Sequence, residues 1–531
     1  METVEVVFAL LAAVAAVALL AQKLRLPYPI LMVIGGLLMG FIPGLPRIRL
    51  NPDMVFLYFL PPLIYPAALF TSWRDFHASL RPISLLAVGL VLFTTVSVGW
   101  LAHYFIPGLP LAAGFVLGAI ISPPDAIAAT TIAERLHVPR RIVTILEGES
   151  LVNDATALVA YRFAVAAVAA GSFSLSRAGG RFLVVGVGGV LIGMLVGWVA
   201  AWVQKHLDDP PIQITISLLT PFAAYLPAER FGVSGILGVV TAGLYLGWRS
   251  PEILTSRMRL QSGPVWEVIV FLLNGFVFIL IGLQLPEILQ ALSGYSITHL
   301  IWDGFFISLS AIILRILWVV PATYLPRILS RKIRERDPSP PWQHVAIVAW
   351  TGMRGVVSLA AAMALPLALP DGSPFPGRPL ILFFTFTVIL ATLVVQGLSL
   401  PALIRWLGVE DDRVAEQEER EARLKSNEAA LARLNEIADS QSIAPEIVQR
   451  LRIEYEDRIR QLEVCDPEHG EMSRGLFSSA YEQLSHELLL VERRSILQLR
   501  NERVINDDVL RRVQRDIDLA EARLRGAAGK S

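Results

Sequence analysis

The chemistry-bearing residues of this chain crowd into two short stretches of otherwise apolar sequence. The first reads Glu147-Gly148-Glu149-Ser150-Leu151-Val152-Asn153-Asp154-Ala155. On a helix, residues four apart share a face, which pairs Glu149 with Asn153 and Ser150 with Asp154. A carboxylate at bilayer depth is expensive and needs a reason. Burial raises its pKa and a nearby cation lowers it, so one group holds either a proton or a cation, and the two compete. That competition is the least chemistry an exchanger needs. The plainer alternative is a satisfied polar network between helices.

The second stretch is Ile121-Ser122-Pro123-Pro124-Asp125-Ala126. Two prolines remove two backbone donors and free carbonyls, so a helix must break there. Such a break at membrane depth is tolerated only where protein buries it or where it lines a wet cavity. Free carbonyls beside the Asp125 carboxylate make an oxygen site for a small hard cation. A plain proline kink, with Asp125 neutralised by a buried arginine, is the alternative. Arg354, in Trp350-Thr351-Gly352-Met353-Arg354-Gly355, is flanked by glycines that permit close packing or local unwinding. A guanidinium at such depth needs a carboxylate, and Glu149 is its expected partner, in a charge-compensating rather than ion-binding pair. Arg162 and Arg315 also fall within spans and read as structural pairing or snorkelling.

The elements that must position these groups follow from composition. Of 531 residues, 54% are hydrophobic and 17% charged, against about 25% charged in soluble domains. Residues 409–531 carry 20 basic and 27 acidic side chains, and residues 1–408 carry 26 and 19. A net charge of zero thus hides two different objects, and it excludes a single soluble domain or a basic nucleic-acid binder. Residues 1–408 divide into thirteen apolar stretches, most of them near the ~20 residues that cross a bilayer. Asp125 falls in the fifth (110–135), Glu149 to Asp154 in the sixth (140–170) and Arg354 in the twelfth (342–368). The first (4–23) follows acidic rather than basic residues and reads as an uncleaved anchor.

With the N-terminus outside, inner loops hold sixteen basic residues and outer loops six, so the tail is cytoplasmic. Residues 10–41 echo residues 218–248 in their order of apolar helix, short basic turn and Gly-rich helix. An echo of span 1 in span 8 makes the second unit inverted, a transporter feature, although two apolar stretches also resemble each other by chance. The tail has helically spaced apolar residues (Leu424, Leu431, Leu434, Ile437) broken at Pro445, Pro467 and Gly475, and reads as three or four amphipathic helices, regulatory or simply stabilising. The lone Cys465 excludes a disulfide framework.

At these residues the chain resembles the monovalent cation:proton antiporter-1 family, the sodium/proton exchangers. The resemblance rests on LPPLIY (60–65), ISPPDAIAA (121–129), EGESLVNDATALV (147–159), FGVSGILGVVTAGL (231–244), FILIGLQLP (278–286) and GMRGVVSLA (352–360). It implies an all-α polytopic membrane protein of thirteen spans in two inverted six-helix repeats with broken crossing helices. It also implies a homodimer, elevator-like alternating access and no cofactor. By the same resemblance Asp154 is the exchange carboxylate, Asp125, Ser150 and Asn153 complete the cation site, and Glu149 with Arg354 forms the buried pair. Asn153 before the aspartate resembles the electroneutral members. Where many relatives carry an acidic residue after Leu-Pro-Pro, this chain has Pro66, which by the resemblance leaves the ion site one oxygen donor poorer.

The expected function is Na+/H+ antiport at the plasma membrane for pH and sodium homeostasis, with Li+ or K+ as further cations and a K+/H+ antiporter as the alternative. A cation channel would want a continuous polar stripe instead of one compact cluster. A cation sensor with the tail as its output is the other rival. An enzyme finds no HExxH or GxSxG motif.

Overall fold

The structure, a computed structural model, describes residues 2–24, 26–42, 55–170, 175–409, 414–440 and 444–464, with shorter pieces between 484 and 521. Cys465 and the loop residues Arg25, Arg47 and Arg49 lie outside the described residues. The chain forms two compact units, Met1–Asp411 and Asp412–Ser531. Among the described residues there are helices and turns but no strand, only an isolated bridge between Ala368 and Pro374. In the second unit, helices Val414–Ser440 and Pro445–Val464 pack on one another, with Arg452 donating to Asn435 across them at 2.8 Å.

The principal helices of the first unit begin with α1 (Glu2–Leu24), α2 (Tyr28–Gly40), α3 (Leu60–Phe70) and α4 (Val91–Phe105). There follow α5 (Leu111–Ile121), α6 (Ile127–Arg135), α7 (Arg140–Ala170), α8 (Leu175–Lys205), α9 (Pro210–Arg230) and α10 (Gly235–Ile253). The last are α11 (Ser256–Leu283), α12 (Ile297–Leu329), α13 (Trp342–Trp350), α14 (Val356–Met363) and α15 (Arg378–Leu407). Among the described residues, seven segments are long and apolar enough to cross a membrane, and three more apolar helices are shorter. In hydrocarbon every backbone donor and acceptor must be satisfied within the chain, which is why these runs are helical. Helix α8 shows both of its environments. Leu183, Leu191, Leu195, Trp198 and Trp202 are exposed along one face. On the other, Gly189, Gly193 and Gly197 press against Ser234, Gly238 and Ala242 of the α9–α10 region. Small residues bring the backbones together where lipid supplies no hydrophobic drive. The same device seats α2 on α11, where Gly36 meets the Ile279 carbonyl and Gly282 meets Val33.

Two helices break. Residues 122–126 separate α5 from α6, at the paired prolines, and residues 351–355 separate α13 from α14, at the glycine-flanked Arg354. The α7 helix, 31 residues long, passes both breaks.

The ion pair that fastens α7 here differs from the expected one. Glu149 binds Arg315 of α12, not Arg354, through two parallel hydrogen bonds of 2.6 and 2.8 Å. Both side chains are fully enclosed, and Arg315 also donates to the Val348 carbonyl near the end of α13 at 3.0 and 3.2 Å. The reason is positional: Arg315 reaches the Glu149 carboxylate and an α13 carbonyl at once, while Arg354 is drawn to other carbonyls. Arg162 pairs with Glu229 of α9 at 2.8 Å.

A second cluster ties helix ends together. Asp337, after the short helix Arg331–Arg336, accepts from Arg81, from Arg141 at 2.6 Å and from Arg327 at 2.9 Å. Partial burial raises its pKa, but the Arg141 hydrogen bond and the charges of Arg141, Arg327 and Arg81 outweigh this and hold it below the ordinary carboxylate value.

Two stability outcomes follow. Glu149→Gln leaves Arg315 charged and unpaired in the interior, costing about 3–5 kcal/mol, while adding Arg315→Met restores most of that loss; thermal unfolding in detergent reads both. Asp337→Asn lowers the unfolding temperature at neutral pH. Because its folded pKa is depressed, that stability is present above the unfolded carboxylate value and lost as pH falls through the folded one. The gap between wild type and Asp337→Asn is therefore flat from about pH 6 to 8 and closes below about pH 4.

Candidate ion-exchange site

The two breaks meet. The Asp125 amide donates to the Met353 carbonyl at 2.6 Å, so each interrupted helix satisfies part of the other's exposed backbone. Gly355 lies directly against the Asp125 carboxylate, and a Cβ there would overlap Oδ2. That close approach is a physical reason for glycine at 355. On its own chain, Asp125 Oδ1 accepts from the Ile127 amide at 2.9 Å and caps the start of α6. A carboxylate at a helix N-terminus is favoured by the dipole and by the unpaired amides there.

From α7, three predicted residues face this crossing. Asn153, fully buried, donates to the Pro124 carbonyl at 2.8 Å, and its Oδ1 has no hydrogen-bond partner. Ser150 Oγ accepts from the Ala126 amide at 3.4 Å. Asp154, only 8% exposed, makes neither a hydrogen bond nor an ion pair among the described residues. The charge of Asp125 acts on it. The polar cluster is thus divided by its partners: Asn153 and Ser150, with Asp154 one turn on from Ser150, turn to the α5–α6 break, while Glu149 is occupied by Arg315.

Arg354 serves the freed carbonyls. Its Nε donates to Ile121 O, at the end of α5, at 2.8 Å, and its guanidinium also reaches Gly352 O. Its backbone amide donates to Thr392 Oγ1 of α15 at 3.1 Å. Helix C-termini carry partial negative charge, so Arg354 at the end of α5 and Arg315 at the end of α13 neutralise the two broken ends. Sequence reasoning missed Arg315 as the Glu149 partner and missed Thr392 altogether. The available signal for Arg315 was an arginine deep in a 33-residue apolar helix. Pro66 is buried inside α3 and offers no carboxylate.

Beyond the crossing, between Pro123, Leu158, Tyr161 and Ala361, the remaining gap does not admit a water. The arrangement therefore gathers two aspartates, an unpaired amide oxygen and a hydroxyl at one buried point. Such a set can take a proton on a carboxylate, or replace it by a desolvated monovalent cation held by oxygens.

Known proteins share this architecture. A solved structure of a sodium proton antiporter from Methanocaldococcus jannaschii superposes with a TM-score of 0.60 at 20% identity, covering 77% of this chain and all of that one. An uncharacterised Na+/H+ exchanger of Mycobacterium tuberculosis is 35% identical over 528 residues, 98% of this chain and 96% of that protein. A sodium, potassium, lithium and rubidium/H+ antiporter of Bacillus subtilis is 35% identical over 388 residues, 71% of this chain and 58% of that protein. Residues 7–406 match the transmembrane sodium/hydrogen exchanger family, and the chain, a polytopic helical membrane protein, belongs to that family.

Proposed function

We propose that the chain is a secondary transporter, not an enzyme, which exchanges a monovalent cation for H+ at Asp154. The observation that carries this is a deeply buried carboxylate without a partner among the described residues, close to Asp125, where two helices break and cross. Asp125, Ser150 Oγ and the unpaired Asn153 Oδ1 supply the other oxygens. In the empty site a proton relieves the cost of the buried charge. A cation that reaches the carboxylates offers the same relief, so the two ligands exclude each other and either can carry the site across the barrier.

Counting charges supports one-for-one exchange. Arg315 and Arg354 bring two positive charges; Glu149, Asp125 and Asp154 bring three negative ones. Glu149 is paired with Arg315, and over the five groups taken together the balance is one negative charge. A single negative charge is left for a single proton or a single monovalent cation.

Na+ is the proposed cation, with Li+ and K+ as further substrates; the Bacillus relative's named range favours breadth. The reading extends to thirteen spans in two inverted repeats, a homodimer in the plasma membrane, alternating access by movement of the crossing, an outer N-terminus and a cytoplasmic tail. The excess of basic residues on one set of loops supports that orientation. Residues 1–408 are the proposed transport domain, and 409–531 the tail.

The test is cation-induced proton movement in proteoliposomes. Adding Na+ to vesicles with a preset pH gradient dissipates the gradient with the intact chain, and Asp154→Asn reduces the rate by at least about a hundredfold, as expected for loss of the proton-transferring group. A mutant as active as the intact chain contradicts the assignment. Adding Li+ and K+ in the same assay ranks the cations.

A further inference from the structure

Four elements meet around a cavity of about 60 Å³ to which none of the polar residues of the crossing contributes. It is lined from the short helix Leu80–Ser84 and the residues after it, from the start of α7, from the end of α12, and from residues 340–348 leading into α13. One end of the cavity is basic, because Arg81, Arg141 and Arg327 gather there around Asp337. The walls are apolar. Leu85 lies about one turn along from Arg81, Ile145 one turn along from Arg141 and Val319 about two turns back from Arg327. Three elements thus carry their charge at the helix end and apolar side chains toward the helix middle, and Val348 of α13 completes the wall.

The basic end is not neutralised from within. Three guanidiniums against one carboxylate leave two positive charges in excess. Among the described residues, Arg81 and Arg141 each give Asp337 a single nitrogen and keep their other donors. Their side chains are 29% and 45% exposed, so an arriving anion can reach them. Arg327 is 5% exposed and held by Asp337 and the Thr323 carbonyl, a fixed positive charge behind the other two. A soluble anion would use the charged end and gain nothing from the walls. A molecule with an anionic head and a hydrocarbon chain meets both. Guanidinium forks match phosphate oxygens, and basic pockets between membrane helices suit phosphate headgroups.

We infer that this cavity binds an anionic phospholipid of the surrounding bilayer. Arg81 and Arg141 hold its phosphate in front of Arg327, and the head-proximal carbons of one acyl chain lie along Leu85, Ile145 and Val319. The space is small against a whole lipid, so the rest of the molecule stays in the bilayer. A lipid seated there ties four elements together at one end of the bundle. Two of them, α12 and α13, carry Arg315 and the Val348 carbonyl that it binds. Occupancy therefore stabilises the folded chain, whether or not the exchange reading above holds.

The test uses the full chain, purified in a neutral detergent and stripped of lipid, with unfolding temperature as the readout. Dioleoyl phosphatidylglycerol is titrated against two controls: dioleoyl phosphatidylcholine, with the same chains and no net charge, and glycerophosphoglycerol, the headgroup without chains. The anionic lipid is expected to raise the unfolding temperature saturably, and the controls to do little. Arg141→Gln weakens the apparent affinity for the anionic lipid about fivefold, the loss of one basic group at a lipid surface. Ala322→Leu, which fills the cavity and leaves every charge in place, weakens it as well. If Arg141→Gln folds poorly, Ala322→Leu decides. Variants that respond to the anionic lipid as the intact chain does overturn the inference, and so does phosphatidylcholine acting as strongly. Glycerophosphoglycerol matching the whole lipid would make this a soluble-anion site, and a polyglutamate peptide that acts where the lipid does not would make it a site for an acidic protein segment; either result overturns the lipid assignment.

Discussion

Charge compensation at the crossing of the two broken helices is the constraint on which the rest of this structure depends. Breaking a helix at membrane depth exposes carbonyls that lipid cannot satisfy. Here the exposed ends of α5 and α13 are met by Arg354 and Arg315. A buried guanidinium is costly without counter-charge; Glu149 supplies it for Arg315, which holds α7 alongside the breaks. That placement in turn brings Ser150, Asn153 and Asp154 to the crossing. The proposed site is a consequence of repairing the breaks, with the Asp154 carboxylate left without an ion pair among the described residues.

The leftover carboxylate explains why structural charges and working charges can share so small a volume. Glu149 is saturated by two short hydrogen bonds from a rigid fork, and removing it leaves a bare cation. Asp125 is partly engaged, through the Ile127 amide. Asp154 has no hydrogen-bond or ion-pair partner among the described residues. Availability to a ligand thus rises from the fastened residue to the free one along a single helix and its neighbouring turn.

Much of this was legible in the sequence. The Pro123-Pro124 pair favours the first break, because two adjacent donors are missing and carbonyls one turn earlier are freed, and the glycines around Arg354 allow the second. The i, i+4 spacing of Ser150 and Asp154 places both on the face that meets the first break. The partner of Glu149 was not legible. Arg315 and Arg354 are both arginines at depth, and the choice depends on which one the tertiary packing leaves free after the broken carbonyls have taken their share. Thr392 was invisible for a related reason: a single polar residue in an apolar helix acquires meaning only from what faces it.

The central claim is that one carboxylate charge remains at the crossing, so that one monovalent cation replaces one proton. The most direct measurement is the effect of membrane potential on exchange. Proteoliposomes are loaded with Na+, and proton uptake is followed with the potential clamped at zero and then stepped to large values of either sign. Neutral exchange predicts the same rate at every potential and, at equilibrium, a sodium gradient equal to the proton gradient. A rate that follows the potential, or a sodium gradient that settles away from the proton gradient when a potential is imposed, would contradict the account and require a second titrating charge at the site.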